Sequence, residues 1–202
     1  MRNPPMPMKI GLVADTHIPE ARAELWPQVF DAFAGVDCIF HGGDVHDLAL
    51  LDEFERIAPI YCARGNGEDG SGGRPIQPED ERVKYVWTFE DLEGLTVGLT
   101  HYIPVEATSN PDFALARWIE RFWPERKPDV IVSGDTHTEF IGECEGVFCV
   151  NPGSPIYPHN YDTQYGTIGF LELDQGKASA SVWLINDDGI EPFDWGSPPR
   201  WR

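Results

Sequence analysis

Apolar residues along the chain gather in short runs that stop abruptly at a glycine or a polar residue. Five stand out: "KIGLVADTH" (9–17), "CIFHGGD" (38–44), "IYCARGN" (60–66), "TVGLTH" (96–101) and "DVIVSGDTH" (129–137). Each is short and rich in Val, Ile or Leu, the pattern of strands buried on both faces. Segments of helical spacing lie among them. Residues 28–34 carry Val29, Phe30 and Phe33, and residues 47–58 carry Leu48, Leu51, Phe54 and Ile57 behind Asp47, a capping type. A third helix is predicted over 111–123, with Pro111 at its start and Leu115, Ile119 and Phe122 on one face. This βαβαβ opening predicts a largely parallel sheet with crossover helices.

After residue 137 the pattern changes. Residues 139–151 and 166–186 read as hairpins, the latter turning at Asp174-Gln175-Gly176, so a second and more antiparallel sheet is expected. Residues 67–82, "GEDGSGGRPIQPEDER", have no apolar period and leave directly from Asn66; a lid and a plain disordered loop both fit. With no internal repeat or linker, residues 9–190 read as one domain between an N-terminal tail (1–8) and a C-terminal tail (191–202).

Composition narrows the partners. The chain has 202 residues, enough to bury a core, and a formal charge of −19, which makes nucleic acid and anionic membrane surfaces poor partners. No apolar run reaches the roughly 18 residues of a membrane helix, and "MRNPPMPMK" lacks the apolar stretch of a signal peptide. Cys38 and Cys62 sit inside apolar runs. Cys144 and Cys149 flank "EG", a two-residue turn whose register sets Cys144 opposite Val147, so the two thiols are not expected to face each other. Reduced cysteines and a cytoplasmic protein are expected. The aromatic end "FDWGSPPRWR" leaves homo-oligomerisation open.

The strand ends carry the chemistry. The five runs finish on Asp15 and His17, Asp44, Asn66, His101, and Asp135 and His137. One Asp or Asn after a strand is usually a turn or cap, and a lone His is usually structural. Recurrence at five strand ends points instead to one site, because ligands of open α/β sheets bind beyond the carboxyl ends of strands. Imidazole, carboxylate and amide oxygen without thiolate suit Mn, Fe, or the borderline Zn and Ni. The set is too large for one tetrahedral ion and suits two, with Asp44, behind Gly42-Gly43, as the bridge.

"DTH", "GGD", "GN", "TH" and "GDTH", followed by "NPGS" (151–154), resemble the calcineurin-like metallophosphoesterases, and more closely the small YfcE-type phosphodiesterases, which are also related to the retromer scaffold subunit of eukaryotes. The resemblance covers residues 13–155. It implies a four-layer αββα sandwich of two mixed sheets, with two divalent ions, Mn first and Ni, Fe or Zn as alternatives. Asp15, His17 and His137 would hold the first ion, Asp44 would bridge, and Asn66 and His101 would hold the second. Asn66 would also contact a phosphate oxygen, and Asn151 and Ser154 would support the site.

Two departures from the family pattern follow. Asp135 stands where the family has a histidine ligand, which favours harder ions or weakens the second site. Gly67 stands where relatives have the His or Cys that follows the Asn. His46 is the candidate replacement acid, or else an exposed residue at a helix start, and Glu68 is a candidate partner behind the ligands. Arg64 and Arg74 could serve one small phosphate. The reading is a metal-dependent phosphoesterase acting on a small phosphoester, by preference a diester; the alternative is a scaffold or binding protein with a partly decayed metal site.

Overall fold

The computed structural model describes residues 7–103, 114–157 and 165–196. Strands β1 (Met8–Val13), β2 (Cys38–His41), β3 (Ile60–Ala63) and β4 (Val83–Lys84) alternate in part with helices α1 (Pro27–Ala32) and α2 (Ala49–Glu55). Strands β5 (Val86–Leu92) and β6 (Leu95–Thr100) follow, then α3 (Leu115–Phe122) and β7 (Val130–Val132). The chain continues through β8 (Glu139–Cys144), β9 (Val147–Pro152), β10 (Thr167–Asp174), β11 (Lys177–Asn186) and β12 (Gly189–Pro192). They form a seven-stranded sheet, β12-β11-β10-β1-β2-β3-β4, and a five-stranded sheet, β5-β6-β7-β9-β8.

Strict alternation along the strands builds four layers. Ile10, Leu12, Cys38, Phe40 and Ala63 of the first sheet meet Val97, Leu99, Val130, Val132 and Val150 of the second in a core between the sheets. The opposite faces carry Val13, Ile39, Ile60 and Cys62, which pack on Val29 and Phe33 beside α1 and on Leu51 and Phe54 of α2. On the far side, Ile131, Val147 and Cys149 pack on Leu115 and Trp123 at α3. The result is the αββα sandwich.

Several expectations shift. The hairpin β10–β11 joins the first sheet, antiparallel to β1, rather than the second. The second sheet is therefore not the more antiparallel one: β6–β7 and β7–β9 are parallel there, and β5–β6 and β8–β9 antiparallel. Strand pairing stops before the motif residues, at Val13, His41, Ala63, Thr100 and Val132. The third helix is seen from Leu115; residues 111–113 of that expectation lie outside the described residues. The first strand opens at Met8 and the last closes at Pro192.

The hairpin at Glu145-Gly146 has φ of 51° and 72°, and the register does set Cys144 opposite Val147 and Gly142 opposite Cys149. That register leaves the two cysteines diagonal neighbours on one face, and the Cys149 thiol points its hydrogen at Val147 O, 3.6 Å away. All four cysteines are free.

Candidate metal centre

The site is built from loops that leave the sandwich at one end. Asp15, His17, Asp44, His46, Asp135 and His137 all adopt left-handed backbone, with φ between 47° and 75°. They come in three Asp-x-His turns: Asp15-Thr16-His17, Asp44-Val45-His46 and Asp135-Thr136-His137. Left-handed φ costs an ordinary residue roughly 1–2 kcal/mol, and Asp tolerates it best, which is why pairing ends before these residues. The turns are knitted together. Asp15 N–H donates to Gly43 O (2.9 Å) and His17 N–H to Asp44 O (3.0 Å), while Asp135 N–H donates to Asp15 Oδ1 (3.2 Å). Gly43, at φ 100°, could carry no side chain, since a Cβ there would lie 2.5 Å from His101 Nδ1.

Ligand atoms converge in two adjacent trios, Asp15–His17–His137 and Asp15–Asp44–His101, each within 4.8 Å. Asp44 spans them: Oδ2 is 3.5 Å from His17 Nε2 and Oδ1 is 3.3 Å from His101 Nε2. Asn66 Oδ1 lies 3.4 Å and Asp135 Oδ1 3.5 Å from the same His101 Nε2. Asp135 reaches in from the open side and is 37% exposed. All seven expected ligand residues are thus brought to one place.

The donor set fits divalent cations. His101 Nδ1 lies 2.7 Å from Gly42 O and His137 Nδ1 lies 2.6 Å from Tyr157 O. A carbonyl can only accept, so each Nδ1 carries the proton and each Nε2 turns a lone pair inward, the arrangement of metal-ligating histidines. Burial pushes the His17 imidazole down to about 4, which leaves it able to ligate at neutral pH. Asp15 Oδ2 is buried without a hydrogen-bond partner. Burial first, then the charges of Asp44 and Asp135, push the Asp15 carboxyl well above the usual carboxylate range. A cation would satisfy the orphaned oxygen and offset the repulsion among the carboxylates, and the neutral His17 is ready to bind it.

Residues behind the ligands fix them. Glu68, fully buried, accepts from the backbone N–H of Gly65 (2.8 Å), His46 (2.8 Å) and Asp44 (3.2 Å), so it is the partner the sequence suggested. Asn151 donates to Gly134 O, and Ser154 donates to Asp15 O at 2.7 Å. Buried His41 accepts from Gly43 N–H at Nδ1 (3.1 Å), which leaves Nε2–H for Thr16 Oγ1 (3.1 Å).

His46 is buried, not exposed at a helix start. Its ring lies 4.3 Å from that of His17 and fills the space over Gly67, where a Cβ would come within 2.2 Å of Cδ2 and 2.6 Å of Nε2. The two arginines that could serve a small phosphate are engaged within the chain. Arg64 donates to the carbonyls of Glu68 and Gln77, and Arg74 to Glu20. Glu20 and the role of Arg74 escaped the sequence reading. The segment 67–82 is ordered against the site: it holds a short 3-10 turn at Ser71–Gly73 and a bridge between Asp69 and Ile76.

An αββα sandwich with a carboxylate–imidazole cluster at its strand ends is the framework of a metal-dependent phosphoesterase. The chain belongs to the calcineurin-like phosphoesterase superfamily, whose domain model matches residues 8–176. It is 35% identical over 175 residues to a probable metallophosphoesterase of Methanothermobacter thermautotrophicus, covering 87% of this chain and 91% of the relative. Among solved structures, vacuolar protein sorting 29 of Cryptosporidium parvum aligns with a TM-score of 0.69 at 19% identity, over 93% of this chain and 96% of that one. A zinc-complexed Vps29 of Entamoeba histolytica aligns with a TM-score of 0.65 at 18% identity, over 91% and 96%. At these identities the structural matches define the fold alone.

Proposed function

We propose that the protein is a dinuclear metal-dependent phosphodiesterase, with Mn²⁺ as its preferred ion. The observation that carries this reading is Asp44, whose two carboxylate oxygens face two different imidazoles, His17 at 3.5 Å and His101 at 3.3 Å. Asp15, His17 and His137 would hold one ion and Asn66, His101 and Asp135 the other, with Asp44 common to both. When bound, the ions supply Lewis-acid activation of the phosphoryl group and of a water for in-line attack. The third carboxylate in place of a histidine biases the second position towards hard Mn²⁺.

The remaining work falls to the chain's own groups. Asn66, held beside His101, offers its amide to a non-bridging phosphate oxygen. His46 is the proton donor: its imidazolium form carries a proton on Nε2, beside Gly67, for the leaving oxygen, and the neutral ring that remains keeps its proton on Nδ1. A diester carries one negative charge and a monoester up to two. The cluster presents Asp15, Asp44 and Asp135, while Arg64 and Arg74 are already engaged, so the singly charged ester is the better fit. The substrate is a small phosphodiester, and four free cysteines suit the cytoplasm. Among the described residues no helix is long and apolar enough to cross a membrane.

The test is selectivity: protein reloaded with Mn²⁺ after metal stripping should hydrolyse bis-p-nitrophenyl phosphate faster than p-nitrophenyl phosphate. Preference for the monoester would overturn the diester reading. Failure of both substrates would favour the scaffold alternative, for which only the fold likeness to Vps29 speaks.

A further inference from the structure

Glu20 and Arg74 form a chain that ends on His46. Glu20 Oε2 lies 3.1 Å from His46 Nδ1. Arg74 grips both oxygens of the same carboxylate, Nε to Oε2 at 2.9 Å and Nη2 to Oε1 at 3.0 Å. A carboxylate oxygen accepts, so the proton of that contact sits on His46 Nδ1, and Nε2 is left as the ring nitrogen with no partner, buried over Gly67. The backbone of His46 is fixed independently, N–H to Glu68 Oε1 at 2.8 Å and O accepting from Gln77 Nε2 at 2.6 Å. What those bonds leave free is the ring's rotation about its own side-chain torsions, and the contact with Glu20 addresses that freedom.

Two plainer readings are weaker. His17, Glu20 and His46 also bring ligand atoms within 4.8 Å, the dimensions of a cation site. Arg74 occupies both Glu20 oxygens, however, and a cation placed there would meet a guanidinium at close range. The other reading is a surface salt bridge. Glu20 is 54% and Arg74 29% exposed, and exposed pairs contribute about 0–1 kcal/mol. Stability is therefore a poor reason for a two-point grip that ends on a buried ring.

We infer that Glu20, braced by Arg74, is a positioning residue for His46. It holds the ring by Nδ1 so that Nε2 stays packed over Gly67. Segment 67–82 is then a strut that carries the brace. Arg64 donates to Gln77 O at 2.8 Å, Gln77 N–H donates to Glu68 O at 3.0 Å, and Tyr102 Oη donates to Asp69 Oδ2 at 3.1 Å. These bonds fix the segment at both ends of the Arg74 turn. The kinetic consequence rests on the acid role proposed for His46, in which the imidazolium gives up its Nε2 proton and the Nδ1–H tautomer on Glu20 remains; the structural one does not.

The experiment has two arms, both on the full chain. In the first, ¹⁵N-histidine-labelled, metal-stripped protein is studied by long-range ¹H–¹⁵N NMR, with His46 assigned by its loss in His46→Gln. The wild type should show His46 protonated at Nδ1, and Glu20→Ala should shift it towards the Nε2–H tautomer with the melting temperature within about 2 °C. Arg74→Ala should shift it part of the way. An unchanged tautomer in Glu20→Ala overturns the inference.

In the second arm, the Mn²⁺-loaded variants are assayed on a p-nitrophenyl diester and on a diester with an alkyl alcohol leaving group. Glu20→Ala should lower kcat on the alkyl ester about 10-fold and change the p-nitrophenyl rate by under about 2-fold, the size of loss typical of groups acting through a ligand or catalyst. Glu20→Gln, which keeps an acceptor, should restore most of it, and Glu20→Ala should add nothing in a His46→Gln background. An equal loss on both esters, or a loss in KM alone, counts against positioning. If the tautomer shifts but His46→Gln leaves leaving-group dependence untouched, positioning stands and the acid role falls.

Discussion

Glu68→Gln separates a charge from a shape at the point where two ligand loops meet. Glu68 is fully buried, and three backbone N–H groups converge on its carboxylate: Asp44 and Gly65 on Oε2, His46 on Oε1. An amide of the same size keeps one acceptor oxygen. Placed at the Oε2 position it retains the bonds to Asp44 and Gly65, and its NH₂ then faces the N–H of His46, donor against donor. Losing one charge-assisted bond and stranding a buried donor costs about 2–3 kcal/mol. One effect runs the other way, because removing a negative charge relieves repulsion within the metal-free cluster. Glu68 ranks last among the causes that raise the Asp15 carboxyl, behind burial, Asp44 and Asp135, so the lost bond should dominate.

Urea denaturation of metal-stripped protein should therefore show a loss of about 2–3 kcal/mol, or roughly 4–12 °C in Tm for a chain of this size. Mn²⁺ affinity should fall about 10-fold or more as Asp44 and Asn66 lose their fixed spacing. Stability within about 0.5 kcal/mol of wild type, the usual range of a neutral surface change, would refute the role assigned to Glu68.

Gly67→Ala should displace the His46 ring, whose Cδ2 would be 2.2 Å from the new Cβ, at a cost of about 1–3 kcal/mol and with loss of turnover on esters with poor leaving groups; melting and kinetics check both. His41 is buried, and burial first, then the His101 charge, push its imidazole down from 6.5 to about 3. The unfolded chain takes up a proton below pH 6.5 that the folded one refuses until about pH 3, so stability falls as pH falls through that window. The loss should be about 1 kcal/mol between pH 6.5 and 5.5. His41→Asn, compared with wild type by melting across that range, should flatten this component, and identical slopes would count against it. Asp135→Ala should weaken one of two Mn²⁺ ions by about 10-fold or more in calorimetry, and Asp135→His should move the preference towards Zn²⁺ or Ni²⁺; two unaltered binding events would remove Asp135 from the ligand set.

The two-face burial of the short central strands left continuous apolar runs, which is why β1, β2, β3, β6 and β7 were legible in the sequence. The ligands were legible for a related reason, since each sits just beyond such a run. Strand ends were overrun because Asp15, His17, Asp135 and His137 take left-handed backbone, which Asp and His tolerate but do not require. The placement of β10 beside β1 depends on pairing between residues far apart in the chain, such as Ile10 with Leu171, which no local pattern encodes. His46 carried a usable signal: it closes a third Asp-x-His turn alongside 15–17 and 135–137. Glu20 and Arg74 carried none, being partly exposed polar residues that meet across 54 positions.

The central claim is that one carboxylate-bridged pair of ions forms on these residues and drives ester hydrolysis. The most direct measurement is stoichiometric reconstitution: metal-stripped protein titrated with Mn²⁺, followed in parallel by electron paramagnetic resonance and by turnover of bis-p-nitrophenyl phosphate. Activity should rise to saturation at two ions per chain, together with the signature of an exchange-coupled pair. Tight binding of a single isolated ion, or two ions without turnover under Mn²⁺, Ni²⁺ or Zn²⁺, would contradict it.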